Sequence, residues 1–136
     1  MCSSASAATL EIHGAWIREA PPNASVLAAY MIISNTGTTD AQITDVASPD
    51  FEHAELHRTV VEGGIARMIR INSLEIPAGK ALSLDPGGIH LMLIDPQRAL
   101  HEGDSVTLTI RTGDGASTTL SVPVVRETGE MTHQHH

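Results

Sequence analysis

Two imidazoles and two thioethers fall within one stretch of this chain, in the order His57, Met68, His90, Met92, and no cysteine lies among them. Successive side chains of a strand point to opposite faces. In Ile89-His90-Leu91-Met92-Leu93 the apolar Ile89, Leu91 and Leu93 therefore share one face, and His90 and Met92 share the other. Met68 is in register with Arg70 and opposite Ile69 and Ile71, and His57 is in register with Glu55 and opposite Leu56. All four side chains thus occupy the register that their strands do not give to a core, where a packing methionine would sit with the isoleucines. Taken singly, a strand histidine is usually a surface or hydrogen-bonded residue, and a methionine is usually core filler. A His-x-Met pair aimed at one point, with a second His and Met nearby, reads instead as a shared metal site. Thioether sulfur is a poor ligand for zinc, calcium or magnesium and suits copper(I). A set without thiolate can hold copper(I) where thiols would be oxidised.

The elements that must position these residues read as short strands. Strand-like runs cover Thr9 to Arg18, Val26 to Ser34, Ala41 to Ala47, Phe51 to Val61, Ile65 to Ile71, Ala81 to Leu84, Ile89 to Ile94, Ser105 to Arg111 and Ser117 to Val125. Turn signals separate them, among them Asn35-Thr36-Gly37, Glu62-Gly63-Gly64, Asp85-Pro86-Gly87-Gly88 and Thr112-Gly113-Asp114-Gly115. No segment shows sustained helical periodicity. Nine or so short strands at regular spacing predict an all-β, antiparallel Greek-key sandwich. We divide the chain into a tail at 1–8, one β-domain at 9–126, and a second tail at 127–136.

At 136 residues the chain is long enough to bury a core, and with 41% apolar residues but only Trp16, Tyr30 and Phe51 as aromatics that core is aliphatic. The formal net charge of −8, with Lys80 the only lysine, argues against nucleic acid or an anionic membrane surface as partner. Cys2 is the only cysteine, so no intramolecular disulfide forms. The run Met1-Cys2-Ser3-Ser4-Ala5-Ser6-Ala7-Ala8 looks like a bacterial lipoprotein remnant, with Cys2 as the lipidated residue. Met131-Thr132-His133-Gln134-His135-His136 has the composition of a metal-binding tail. His13 and His101 have no evident partner, and His53, four positions before His57, falls near the site without counting as a ligand. No nucleophile–base pair, phosphate loop or closed zinc pattern suggests an enzyme.

At the four ligands the chain resembles the PCuAC family of bacterial copper chaperones, whose pattern is a His, ten residues, a Met, twenty-one residues, then His-x-Met. His57, Met68, His90 and Met92 fit both gaps. Ala29-Tyr30-Met31, Leu74-Glu75-Ile76-Pro77-Ala78-Gly79, Pro86-Gly87-Gly88 and Glu102-Gly103-Asp104 also look like family landmarks, and the likeness runs from about Thr9 to Val125. Many members carry a Met directly after the first His, where this chain has Arg58, so that extra sulfur is lacking. The resemblance implies a cupredoxin-like sandwich in a periplasmic or membrane-anchored copper(I) chaperone. The implied recipient is the CuA centre of cytochrome c oxidase subunit II, with other periplasmic copper chaperones as further partners and a monomeric state. It also implies a second, copper(II) site on the tail at Met131, His133, His135 and His136. Three rivals stand beside this reading. A copper-sequestering protein lacks a dedicated recipient. An electron-transfer cupredoxin needs a thiolate that the β-domain does not have. A copper-independent sandwich would serve only to bind other proteins.

Overall fold

The computed structural model of the chain describes residues 10–21 and 23–126. Cys2 and the C-terminal Met131, His133, His135 and His136 lie outside the described residues. Among the described residues ten strands and no helix follow one another: β1 (Leu10–Arg18), β2 (Val26–Asn35), β3 (Ala41–Ala47), β4 (Phe51–Glu62), β5 (Ile65–Ile71), β6 (Leu74–Ile76), β7 (Ala81–Leu84), β8 (Ile89–Pro96), β9 (Ser105–Thr112) and β10 (Ser117–Val125). Hydrogen bonding runs continuously in the order β5-β4-β8-β2-β1-β10-β9-β3-β6, with β7 branching from β2.

The aliphatic alternation places the core. Val106, Leu108 and Ile110 of β9 are buried at every second position, as are Leu27, Ala29, Met31 and Ile33 of β2. These residues join Leu56, Leu91, Leu93, Val122 and Val124 in one apolar cluster shared by both halves of the strand order. The ribbon therefore closes on itself as two layers around that cluster. Three details depart from the sequence reading. β6 falls in a stretch read as loop, because three residues are too few to show alternation. β1 and β10 pair in parallel at Ile17–Val124 and Arg18–Val125, so the expected antiparallel sandwich contains one parallel contact where its two layers meet. Ile65 and Ile69 are exposed although they face away from Met68, because β5 is a sheet edge and its inner side lies beyond the core.

Two polar contacts fix the frame around the site. Asn35 is almost fully buried, and its amide donates to the carbonyls of Thr39 and Ile76, both at 2.9 Å, tying the end of β2 to β6. At the β1–β10 junction the Glu19 carboxylate accepts from the Glu102 N–H at 3.1 Å and from Arg126 Nε at 3.3 Å. Those bonds, the Glu102 N–H first, hold the Glu19 carboxyl below its ordinary value of 4.5. A carboxyl with a lowered folded-state pKa stabilises the fold above its unfolded pKa and loses that contribution as pH falls through the folded value. Glu19→Gln is therefore expected to lower stability at pH 7, where the wild-type carboxylate contributes, and to converge with wild type as pH falls through the lowered folded-state pKa. Urea midpoints measured at a series of pH values check this.

The hairpin between β4 and β5 turns through Gly63 and Gly64, at φ 57° and 82°. Two consecutive left-handed residues form the tight hairpin turn that matches strand twist, a conformation that glycine adopts without a Cβ penalty. That turn sets the unbroken register from Glu62–Ile65 to Leu56–Ile71, and hence where Met68 stands relative to His57.

Candidate metal centre

β4 and β8 lie side by side, and His57 is the direct cross-strand partner of His90. Their ring centroids are 6.2 Å apart and the planes are inclined by 25°. Met92, two residues after His90, returns to the same face of β8, between Glu55 of β4 and Ala28 of β2. Met68 pairs with Thr59, one step along that face from His57. The four candidate side chains thus converge on one face of the β5-β4-β8-β2 layer, the face turned away from the core. Met68, His90 and Met92 line one hollow together with Arg18, Tyr30 and Gly87. His57 does not line that hollow and reaches the group from the side through His90.

The site is less open than the outward register suggests. His90 is only 4% exposed, and Met68 is 58% exposed. The cause is neighbouring side chains on the same face. Continuing the β2–β8 register from Ala29–Leu91 puts Tyr30, itself buried, beside His90. Trp16 stands across from Tyr30, with ring centroids 5.0 Å apart. The Arg18 guanidinium sits 5.9 Å from the Trp16 ring and 5.4 Å from the Tyr30 ring, within cation–π range. The imidazole pair is therefore walled on one side by rings, and Met68 forms the outer lip.

Hydrogen bonding assigns a role to each ring nitrogen. His90 Nδ1 lies 3.1 Å from the Gly88 carbonyl. A carbonyl only accepts, so Nδ1 carries the hydrogen and Nε2 of the neutral ring holds a bare lone pair. His57 Nε2 lies 3.0 Å from Glu55 Oε1, and by the same argument its Nδ1 is bare. Those two bare nitrogens, His57 Nδ1 and His90 Nε2, are both buried with no hydrogen-bond partner. A buried polar atom normally finds a partner, so two such atoms on facing rings need an explanation. A metal ion supplies one. The opposite nitrogen of each ring is already held by an acceptor, the arrangement that orients ligating histidines.

Glu55 is the neighbour whose role the sequence did not disclose. Its carboxyl is held below its ordinary value mainly by the hydrogen bond from His57, with burial opposing and Arg70, 3.8 Å away, assisting. Its place two residues before His57 was a visible signal, because that spacing shares a face. Nothing in the spacing showed that its oxygen would fix the imidazole. Gly88 was legible only as a turn residue. Its carbonyl accepts both the Thr59 N–H at 3.2 Å and His90 Nδ1. His53 lies opposite Ile94, farther along β4, and lines a separate exposed recess with Glu52 and Arg70. Among the described residues no three His, Cys, Asp or Glu side chains gather in a way that could hold a metal.

An all-β ribbon folded into two layers, carrying two facing imidazoles and two thioethers on an outer face of the sheet, is a cupredoxin-like fold. The model of the family described as "Putative lipoprotein LpqE-like" matches residues 10–124, and the chain belongs to that family, which is the PCuAC family. Protein Lxx21020 of Leifsonia xyli subsp. xyli is 33% identical over 116 residues, covering 85% of this chain and 69% of its own. The copper-bound PCuAC domain of PmoF2 superposes with a TM-score of 0.73 at 19% identity, over 87% of this chain and 93% of that one, and shares the fold. The copper(I) form of DR1885 from Deinococcus radiodurans, solved in solution, has a TM-score of 0.68 at 31% identity, over 84% of this chain and 76% of its own.

Proposed function

We propose that this protein is an extracytoplasmic copper(I) carrier, with His57 Nδ1, His90 Nε2 and the sulfurs of Met68 and Met92 as the ligands. The observation that carries the reading is the pair of buried, unpartnered nitrogens on facing rings beside two thioethers. Soft sulfur selects copper(I), and neutral imidazole accepts copper in either oxidation state. The likeness to DR1885, a chain solved with copper(I), supports the choice of metal. The decisive measurement is X-ray absorption of the copper(I)-loaded protein. A mixed nitrogen and sulfur shell is expected; an all-nitrogen shell would remove the methionines from the site.

The protein is a carrier and not an enzyme: the ion is cargo, held at a half-buried position with one exposed ligand. Its recipient is the CuA centre of cytochrome c oxidase subunit II, a proposal that rests on the family resemblance. A transfer assay to an apo CuA domain tests it, and retention of copper by this protein would favour sequestration. The family's lipoprotein description supports a location outside the cytoplasm, with lipid attached at Cys2. The tail residues Met131, His133, His135 and His136 form a second, copper(II) site. Truncation after Arg126 is expected to remove copper(II) stoichiometry and leave copper(I) binding at the β-domain. Unchanged copper(II) stoichiometry by calorimetric titration would sink the tail site.

A further inference from the structure

The two ends of the strand order are built differently. At one end β6 is three residues long, and its Ile76 carbonyl is already taken by the Asn35 amide. At the other end β5 runs for seven residues without glycine, proline or bulge, and pairs only with β4. Among the described residues nothing pairs with its outer side. An unblunted edge of this kind is a template for another strand, and proteins usually protect against it. β5 also carries apolar side chains in the open: Ile65 is 66% exposed and Ile69 46%. Its Met68 is the outermost of the four ligands.

Charge decides what the edge will accept. The chain has 16 acidic and 8 basic residues, yet β5 carries Arg67 and Arg70 and no carboxylate. Both arginines lean back onto β4, Arg67 to Glu62 at 2.8 Å and Arg70 to Glu55 at 3.8 Å. These exposed ion pairs leave the backbone edge uncovered, and the two arginines are the only charged side chains on the edge strand itself. Pairing of β5 with β5 of a second copy would set four arginines on adjacent strands, and like charges across strands are destabilising. A strand bearing carboxylates would gain from the same arginines.

We propose that the outer edge of β5 is a docking edge for an extended, carboxylate-bearing segment of a partner protein, which adds to the sheet as a further strand beside Met68. The proposal deepens the copper-carrier reading and rests on it for its purpose. A side chain of the added strand directly opposite Met68 stands about 5 Å from it, within reach of the same ion. Transfer then proceeds by ligand exchange: a bond from copper to an incoming sulfur or nitrogen forms as the bond to the Met68 sulfur breaks. Copper stays in the +1 state, and no electron or proton need move.

The test uses the full chain, apo, with a synthetic peptide of about nine residues alternating Glu and Val around a central Met. A counterpart with Lys for Glu is the control. Backbone amide shifts are followed by NMR, and copper(I) affinity is measured on the same samples against a chelator. The Glu peptide is expected to shift the amides of Ile65–Ile71, the Lys peptide to bind at least about tenfold more weakly, and added salt to weaken the Glu peptide. The double variant R67E/I69K, altered only on the side of β5 facing away from the ligands, should lose about tenfold in peptide affinity with copper(I) affinity unchanged. Equal binding of the two peptides, shifts centred elsewhere, or no shifts at millimolar peptide would overturn the proposal. Concentration-dependent β5 shifts without peptide would overturn it in favour of a second copy. Loss of copper(I) binding by the unaltered chain would instead defeat the carrier reading, which the peptide titrations do not involve.

Discussion

His90→Ala is expected to produce the largest loss of copper(I) affinity of any single substitution in this chain. Removal of a partner that merely orients a ligand costs roughly 10–100-fold in metal affinity, and His90 is itself a proposed ligand, so the loss should exceed that range. It is the ring that touches every other part of the site. It faces His57 across the β4–β8 pair, shares its hollow with Met68 and Met92, and has its Nδ1 fixed by Gly88. The thioethers should rank below it and apart from each other. Met92 is half-buried between Glu55 and Ala28, so Met92→Leu removes a sulfur that has no freedom to be replaced. Met68 stands on the exposed edge strand, where water or another donor can take its place, so Met68→Leu should cost less. Both are near volume-conserving changes and should leave the fold intact. Chelator competition supplies the affinities, and a urea titration of each apo variant shows that the fold survives. Unaltered affinity in His90→Ala, or in both methionine variants, would refute the assigned site.

Glu55 separates positioning from ligation. If its carboxylate holds His57 with Nδ1 bare, Glu55→Gln keeps a hydrogen-bond acceptor and should lose less copper(I) affinity than Glu55→Ala. Nitrogen-15 NMR of the apo protein reads the tautomer directly. Wild type is expected to carry the His57 hydrogen on Nε2, and Glu55→Ala to show a mixture. A wild-type ring protonated on Nδ1 alone would contradict the assignment.

The legibility of this site in the sequence follows from the two-residue period of a strand. Ile89-His90-Leu91-Met92-Leu93 assigned its faces without ambiguity, and the structure seats Leu91 and Leu93 in the core with His90 and Met92 on the reverse. The same logic placed Met68 on the face opposite Ile69, correctly as register. It failed for burial, because alternation shows which residues share a face and not whether another layer covers that face. At the β5 edge nothing does. The converse error concerns His90, whose outward register suggested exposure. It is buried by Tyr30, sixty positions away in sequence and brought beside it only by the β2–β8 pairing. The parallel β1–β10 contact and the three-residue β6 were illegible for the same reason, since neither leaves a periodic trace in its own segment. Glu55 and Gly88 show the remaining limit. Spacing places a side chain on a face, but which atom a carboxylate or carbonyl meets depends on the pairing of two strands at once.

Leu91→Ala, on the reverse of the strand that carries His90 and Met92, should destabilise the fold by about 2–5 kcal/mol. Leu91 is buried between Leu56 of β4 and Ala29 of β2, within the apolar core cluster. For a domain of this size that is a fall in Tm of about 10 °C or more. The substitution separates scaffold from site, because β8 serves both through opposite faces. An ion that binds only the folded state adds stability set by its concentration and affinity, about 2.7 kcal/mol at a hundredfold excess over Kd. If Leu91 acts only as scaffold, copper(I) affinity is unchanged in Leu91→Ala, and the metal adds as much free energy as in wild type. His90→Ala should give the opposite pattern, with apo stability nearer wild type and no gain on adding copper(I). Thermal unfolding of the three proteins with and without copper(I), under anaerobic conditions, distinguishes the two patterns. A copper-dependent gain that persisted in His90→Ala and vanished in Leu91→Ala would place the ion on the wrong face of β8.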